Sequence, residues 1–186
     1  GSLTVNVAIP AMVRLEIDLE APEGAVIHRD GGQVRRLEVD DAGSDLTAAL
    51  VFGLRPHGGI RVRVAARPPL GSGLGGSSAY AVALARGLLA LGGTEISDSR
   101  LVALARDLEA RVLAAPTGVQ DHWAGLEGGI LALHCEPGGE RVERLAVDPS
   151  WLGERMTVFD TGVAHHSGQV NWEVVRRRLD GDRQTA

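Results

Sequence analysis

Lysine is absent from this chain of 186 residues, and all 19 of its basic side chains are arginine. That absence excludes a phosphate loop of the G-x-x-x-x-G-K-[ST] kind, a protein-kinase strand lysine and any Schiff-base chemistry. Cysteine is almost absent. Cys135 alone excludes an internal disulfide framework and a Cys-rich zinc site, and it points to a reducing compartment. No apolar run approaches the roughly 20 residues of a membrane span, and the opening residues do not read as a signal peptide. The expectation is a cytoplasmic protein with no membrane partner. An excess of cations is also lacking: 24 acidic residues against 19 basic ones leave a formal charge of −5, which argues against nucleic acid as a partner. An initiator Met is missing, so the start at Gly1-Ser2 reads as a cloning scar or an internal cut.

What is present has ordinary globular character. Apolar residues make up 44% and charged residues 23%, which argues against disorder. The length suits one domain with a short extension, able to remove roughly 70% of its unfolded surface from water. The first 65 residues read as β-rich. Leu3, Val5, Val7 and Ile9 alternate with smaller or polar residues, and Val13, Leu15, Ile17 and Leu19 alternate with Arg14, Glu16 and Asp18. Gly31-Gly32 predicts a hairpin between Ala25–His28 and Gln33–Val39, Asp45–Leu54 a short helix, and Ile60–Val64 another strand. The period then turns helical, with Ala81, Leu84, Ala85, Leu88 and Leu91 ahead of Gly92-Gly93. A second helix starts near Ser97 or Asp98 and carries Leu101, Leu104, Ala105, Leu108 and Val112 on one face until Pro116. Gln120–Leu126 predicts a third helix, Gly129–His134 and Arg141–Val147 a hairpin, Met156–Asp160 a last strand and Asn171–Leu179 a terminal helix. Strands precede helices without strict alternation, so the expected class is α+β.

The segment from Pro68 to Ala79 holds Gly71, Gly73, Gly75 and Gly76 between a strand and a strong helix. Glycines there allow positive φ and a close backbone approach, and the helix start aims unpaired N–H groups at the same spot. The result is an anion site suited to phosphates, to which Ser77 and Ser78 add hydroxyls able to bind a phosphate or Mg²⁺. The letters also satisfy Gly71-x-Gly73-x-x-Gly76, a dinucleotide fingerprint. Two prolines and some 65 preceding residues fit that reading poorly, and Glu95 lies in a loop instead of closing a strand. A glycine-rich turn without a ligand is the plain alternative.

The run Pro69-x-Gly71-x-Gly73-Leu74-Gly75-Gly76-Ser77-Ser78-Ala79 resembles the phosphate loop of the GHMP kinases, the family of galactokinase, homoserine kinase, mevalonate kinase and phosphomevalonate kinase. In that family the loop wraps the ATP phosphates without a lysine. Pro116-Thr117-Gly118-Val119-Gln120-Asp121-His122-Trp123-Ala124, followed by Gly128-Gly129, is similar to the family's G-x-x-D-x segment with its trailing glycines. Similar spacing and strand order run over most of residues 3–165. The resemblance implies the fold of domain 2 of ribosomal protein S5, and ATP- and Mg²⁺-dependent phosphoryl transfer to a small-molecule hydroxyl. It assigns Pro69, Gly71, Ser72, Gly73, Leu74, Gly75, Gly76, Ser77 and Ser78 to the nucleotide. Ser77 and Glu109 match the Mg²⁺ ligands, and Asp121 matches the catalytic carboxylate that orients or deprotonates the acceptor hydroxyl. Thr117–Trp123 and Asp160–Trp172 look most like the heptose-phosphate and fucose-type branch, which implies a sugar or sugar phosphate. Mevalonate-like or homoserine-like acceptors, and a nucleotide-binding or regulatory module without turnover, are the alternatives.

Each assignment has a plainer competitor in the residues themselves. Glu109 could be a solvated helix residue paired with Arg106 or Arg111. Asp121 could serve the start of the Gln120–Leu126 helix, and Asp107 lies on another helix face. His165-His166 reads as loop because adjacent side chains diverge. Asp160-Thr161-Gly162 reads mostly as a strand-to-helix turn, and Arg176-Arg177-Arg178 as a solvated helix end. Trp123 either fills core or stacks on a sugar face. Family members also carry an earlier segment of the type P-G-R-x-N-x-x-G-E-H or A-P-x-R-x-x-x-G-G-G, and a C-terminal domain with a second glycine-rich motif. Neither lies between Gly1 and Ala186. The expectation is therefore an N-terminal ATP-binding domain over 3–165, a connecting helix over 166–186 towards an absent domain, and self-association through the bared face.

Overall fold

The computed structural model describes residues 1–55, 57–159, 161–163 and 167–181. Two sheets carry the fold. In the first, β1 (Ser2–Val7), β6 (Ile130–Glu136) and β7 (Gly139–Arg144) pair antiparallel in the order β1-β6-β7, with Val7 opposite Ile130. In the second, β2 (Arg14–Asp18), β3 (Val26–Asp30), β4 (Gln33–Leu37) and β5 (Ile60–Ala66) lie in the order β2-β5-β3-β4. Only the β3–β5 pair is parallel. The alternation in β5 works as its pattern predicts: Ile60 and Val62 are buried, while Arg63 pairs with Glu16 and Arg61 with Glu20 across the outer face of β2. Such exposed pairs contribute about 0.2–1 kcal/mol each, so the inner face decides the register.

The helices α1 (Leu46–Leu54), α2 (Gly76–Leu91) and α3 (Asp98–Leu113) close the inner face of the second sheet. Leu50, Leu84, Leu88 and Leu101 form one core with Val26, Ile60 and Val62. A second core joins Val102 of α3 and Trp123 of α4 (Gln120–Glu127) to Leu131 and Leu133 of the first sheet. Helix α4 is thus wedged between α2 and the first sheet. Its approach to α2 is close: a Cβ on Gly125 would stand 2.9 Å from both Cα and Cβ of Ala79. The chain has a mixed α and β fold. The strand that follows α2 belongs to the other sheet and pairs antiparallel, so the parallel crossover that a dinucleotide fingerprint requires does not form.

Three expectations need correction. Met156–Phe159 is irregular and exposed where a strand was expected, and Asp160 lies outside the described residues. Alternation alone makes no strand without a neighbour to pair with, and no described strand lies alongside. A short α5 (Pro149–Gly153) went unpredicted. Asp148 caps it by accepting from the Ser150 N–H, and Pro149 suits its first turn. The terminal helix α6 begins at Ser167 and runs to Leu179, one turn earlier than its periodicity suggests.

Gly125→Ala is expected to destabilise by about 1–3 kcal/mol through overpacking, against a helix-propensity gain of at most about 1 kcal/mol. Gly53→Ala in α1, where the new Cβ would meet only Leu108 side-chain carbons at 3.6 Å, should be neutral or stabilising. Urea unfolding of both variants checks the contrast, and equal midpoints would show that α4 can shift away from α2 freely.

Candidate active site

Between β5 and α2 the chain turns three times through left-handed backbone, at Gly71 (φ 72°), Gly73 (φ 71°) and Gly75 (φ 67°). The Ser72 N–H donates to the Pro69 carbonyl at 3.2 Å and closes the first turn. Gly75 is the N-cap of α2 and has no side chain to cap it, while the first intrahelical bond runs from the Ala79 N–H to the Gly75 carbonyl. The first-turn N–H groups of Gly76, Ser77 and Ser78 therefore point out at the positive end of a helix of 16 residues. That is an anion seat made of backbone alone.

The loop separates two hollows. Pro69, Gly71, Gly76 and Ser77 border a cavity of about 330 Å³ whose far wall comes from the β3–β4 hairpin and α1. Its polar wall is ordered: Thr47 and Tyr80 share a hydrogen bond at 2.8 Å, Arg67 pairs with Asp30, and Arg35 with Asp45. Burial holds His28 below its ordinary value against the pull of Asp45 and Asp30, with Arg35 and Arg67 acting in the same direction as burial. Gly73, Leu74 and Gly75 border the second hollow, about 220 Å³, together with Asn6, Asp121 and Gly125.

Asp121 stands where the two helices bring it against the loop. A Cβ on Gly75 would lie 2.9 Å from its Cβ and Cγ, so the glycine is what lets the carboxylate approach. Gly75 and Ala79 are four residues apart, as are Asp121 and Gly125. The two contacts are successive turns of one helix crossing. Desolvation against the loop pushes the Asp121 carboxyl above its ordinary value; the charge of His122 opposes this and that of Glu109 adds to it. The N-cap of α4 is Val119, so Asp121 does not cap the helix.

Glu109 is only 3% exposed, which removes the solvated-helix reading; Arg106 pairs with Asp107 instead. The Ser78 hydroxyl donates to Glu109 Oε2 at 2.8 Å, and His122 Nε2 stands 3.1 Å from the same oxygen. Burial pushes the Glu109 carboxyl up, but contacts from His122, Ser77 and Ser78 outweigh it and hold it below the ordinary glutamate value. Ser78 thus spends its hydroxyl on Glu109 and keeps its backbone N–H for an anion, while Ser77 is exposed and borders the larger cavity. One carboxylate with nearby hydroxyls is a hard oxygen set that suits Mg²⁺, which keeps several waters and phosphate oxygens.

The loop, Ser77, Ser78, Glu109 and Asp121 are therefore brought together. Trp123 is buried in the second core and donates to Glu140 at 2.9 Å, so it fills core and cannot stack on a sugar. His165, His166 and Asp160 lie outside the described residues. Sequence reading assigned no role to His122, or to the β3–β4 hairpin that walls the larger cavity. Nothing local in the hairpin marks it, whereas a histidine next to Asp121 was visible.

Residues 42–129 match the family model for the GHMP kinases N terminal domain. The bifunctional fucokinase/GDP-fucose pyrophosphorylase of Arabidopsis thaliana is 30% identical over 98% of this chain, which spans only 18% of that protein. Among solved structures, galactokinase of Lactococcus lactis complexed with galactose shares the fold at a TM-score of 0.64 and 13% identity, covering 100% of this chain and 57% of its own. A D-glycero-D-manno-heptose 1-phosphate kinase from Bacteroides thetaiotaomicron does so at 0.63 and 20%, covering 83% and 54%. This chain spans roughly half of those structures. Among the described residues, no helix is long and apolar enough to cross a membrane.

A carboxyl held below its unfolded value adds stability above that value and loses it as pH falls through the folded one. For Glu109 the unfolded value is about 4.5. Glu109→Gln should cost about 1.5–3 kcal/mol at pH 7, and the gap to the parent should narrow below pH 4.5. Asp121 has the opposite sign: its raised value makes stability fall as pH climbs above 3.8. Asp121→Asn should therefore gain a small Tm increment at pH 7, kept small by solvent, and none near pH 3.8. Thermal melts across pH 3–7 check both signs.

Proposed function

We propose that this chain, whose residues 42–129 carry the GHMP kinase N-terminal domain, takes part in ATP- and Mg²⁺-dependent phosphoryl transfer to a hydroxyl of a sugar or sugar phosphate. The observation that carries the reading is the contact of Asp121 with the N-cap glycine of α2. It sets a desolvated carboxylate beside a backbone anion seat, the juxtaposition that transfer from phosphate to alcohol needs. The fold reading that goes with it is the ribosomal protein S5 domain 2-like class. Residues 3–165 are the ATP-binding domain, and 166–186 lead towards a second domain of a longer protein.

In this reading Pro69, Gly71, Ser72, Gly73, Leu74, Gly75, Gly76, Ser77 and Ser78 receive the nucleotide. The N–H groups at the start of α2 hold phosphate oxygens without reorganising. The nucleoside lies in the cavity walled by the β3–β4 hairpin, and the acceptor lies across the loop beside Asn6 and Asp121. Asp121 accepts a hydrogen bond from the acceptor hydroxyl and takes its proton as the bond from that oxygen to the γ-phosphorus forms and the γ-phosphorus–oxygen bond to ADP breaks, ADP leaving; its raised basicity suits that task. Ser77 and Glu109 would hold Mg²⁺, which supplies charge neutralisation at the phosphate oxygens. The fucokinase relative favours a sugar acceptor over mevalonate or homoserine.

Asp121→Asn in the longer protein should leave ATP affinity within a few-fold and lower turnover by at least about 10²-fold. Turnover equal to the parent over a panel of sugars would remove Asp121 from the reaction. The chain alone should bind ATP weakly, turn over near background and self-associate, because inter-domain faces bury on the order of 600–1,500 Å². Steady-state assays beside sedimentation check this, and brisk phosphorylation by a monomer would show that the second domain is dispensable.

A further inference from the structure

His122 is the one side chain in this region that the reaction leaves without a task, and its setting is unusual. It is fully buried: its Nε2 stands in ion-pair range of Glu109 Oε2, and its Nδ1 has no hydrogen-bond partner among the described residues. A buried polar ring with one nitrogen left unpaired is costly, and a leucine would fill the same space without that cost. Local violations of packing logic concentrate at functional sites. The neighbours of this ring say what it is for. Successive residues of a helix point about 100° apart. One step along α4 therefore turns from Asp121, which faces the loop, to His122, which faces inward to α3 and ends 3.1 Å from Glu109 Oε2. Ser78, from the first turn of α2, reaches that same oxygen at 2.8 Å. Three helices converge on one carboxylate oxygen.

We propose that His122 is a positioning residue for the metal carboxylate: together with Ser78 it pins Oε2 of Glu109, leaving the other oxygen for Ser77 and the cation. This rests on the reading of Ser77 and Glu109 as Mg²⁺ ligands. Metal-binding carboxylates are commonly oriented by such partners, whose loss weakens metal binding by about 10–100-fold. The arrangement also links the two carboxylates of the site mechanically. Because Asp121 and His122 are adjacent on one short helix, a displacement of α4 that moves the acceptor carboxylate also releases the metal carboxylate.

The test is Mn²⁺ binding in the presence of a non-hydrolysable ATP analogue, read by water-proton relaxation on the longer protein and on its His122→Leu, His122→Gln, Glu109→Gln and His122→Leu/Glu109→Gln variants. Thermal melts run alongside. His122→Leu should weaken Mn²⁺ binding by about 10-fold or more, and His122→Gln, which restores an N–H donor, should recover most of it. The double variant should bind no more weakly than Glu109→Gln, because His122 acts through that carboxylate. If His122→Leu lowers Tm but leaves Mn²⁺ affinity unchanged, the residue is structural and the inference falls, while the metal reading stands. Failure of the glutamine variant to recover binding, or an added loss in the double variant, would equally overturn it. If Glu109→Gln binds Mn²⁺ as the parent does, or the parent binds none, the metal reading fails first and takes this inference with it.

Discussion

The crossing of α2 and α4 at Ala79 and Gly125 is the contact on which the site depends. Two helices can run this close only where one side chain is missing altogether and the other is a methyl. The closeness is then transmitted by helical geometry. One turn back along each helix lie Gly75 and Asp121, so the same crossing that packs the interior sets the Asp121 carboxylate against the glycine loop. No loop conformation has to be chosen for this pair to meet. Packing and chemistry share one interface, and a change in interaxial distance would register in both.

The charged groups of the molecule divide into two populations with different physics. Along β2 and β5, and at Arg35 with Asp45, pairs sit in contact with water, where screening leaves little net energy. Glu109 is different. It is charged, nearly sealed from solvent and offset by hydroxyls and an imidazole from two other helices. A folded chain tolerates a buried carboxylate when its partners are in place, and their presence here marks α3 as part of the candidate site.

Much of this was legible in the chain. The two strong helices, both hairpins and the first core strands follow from periods of 3.6 and 2, and the glycine spacing before α2 marks the anion seat. The caps were legible as well, with Ser97 accepting from the Arg100 N–H and Asp45 from the Ala48 N–H. What could not be read is tertiary. Glu109 has the same local surroundings as a solvent-facing helix residue, and only the arrival of α4 seals it. Alternation at Met156–Phe159 promised a strand, but pairing is a property of two segments and the second is not among those described. Trp123 is buried because the first sheet folds over α4, and His122 because α4 packs on α3; both are contacts between distant segments that no local window contains.

The uncapped start of α2 has a last consequence. Most helices carry their own serine or aspartate to satisfy the first turn; this one begins on glycine and leaves that role to whatever anion enters the loop. An anion held there is then a structural component of the helix. Filling the loop and finishing the helix are a single equilibrium, so occupancy should tighten the same helix whose far turns carry Leu84 and Leu88 into the main core. A chain built this way would register an anion at its loop in the stiffness of its centre.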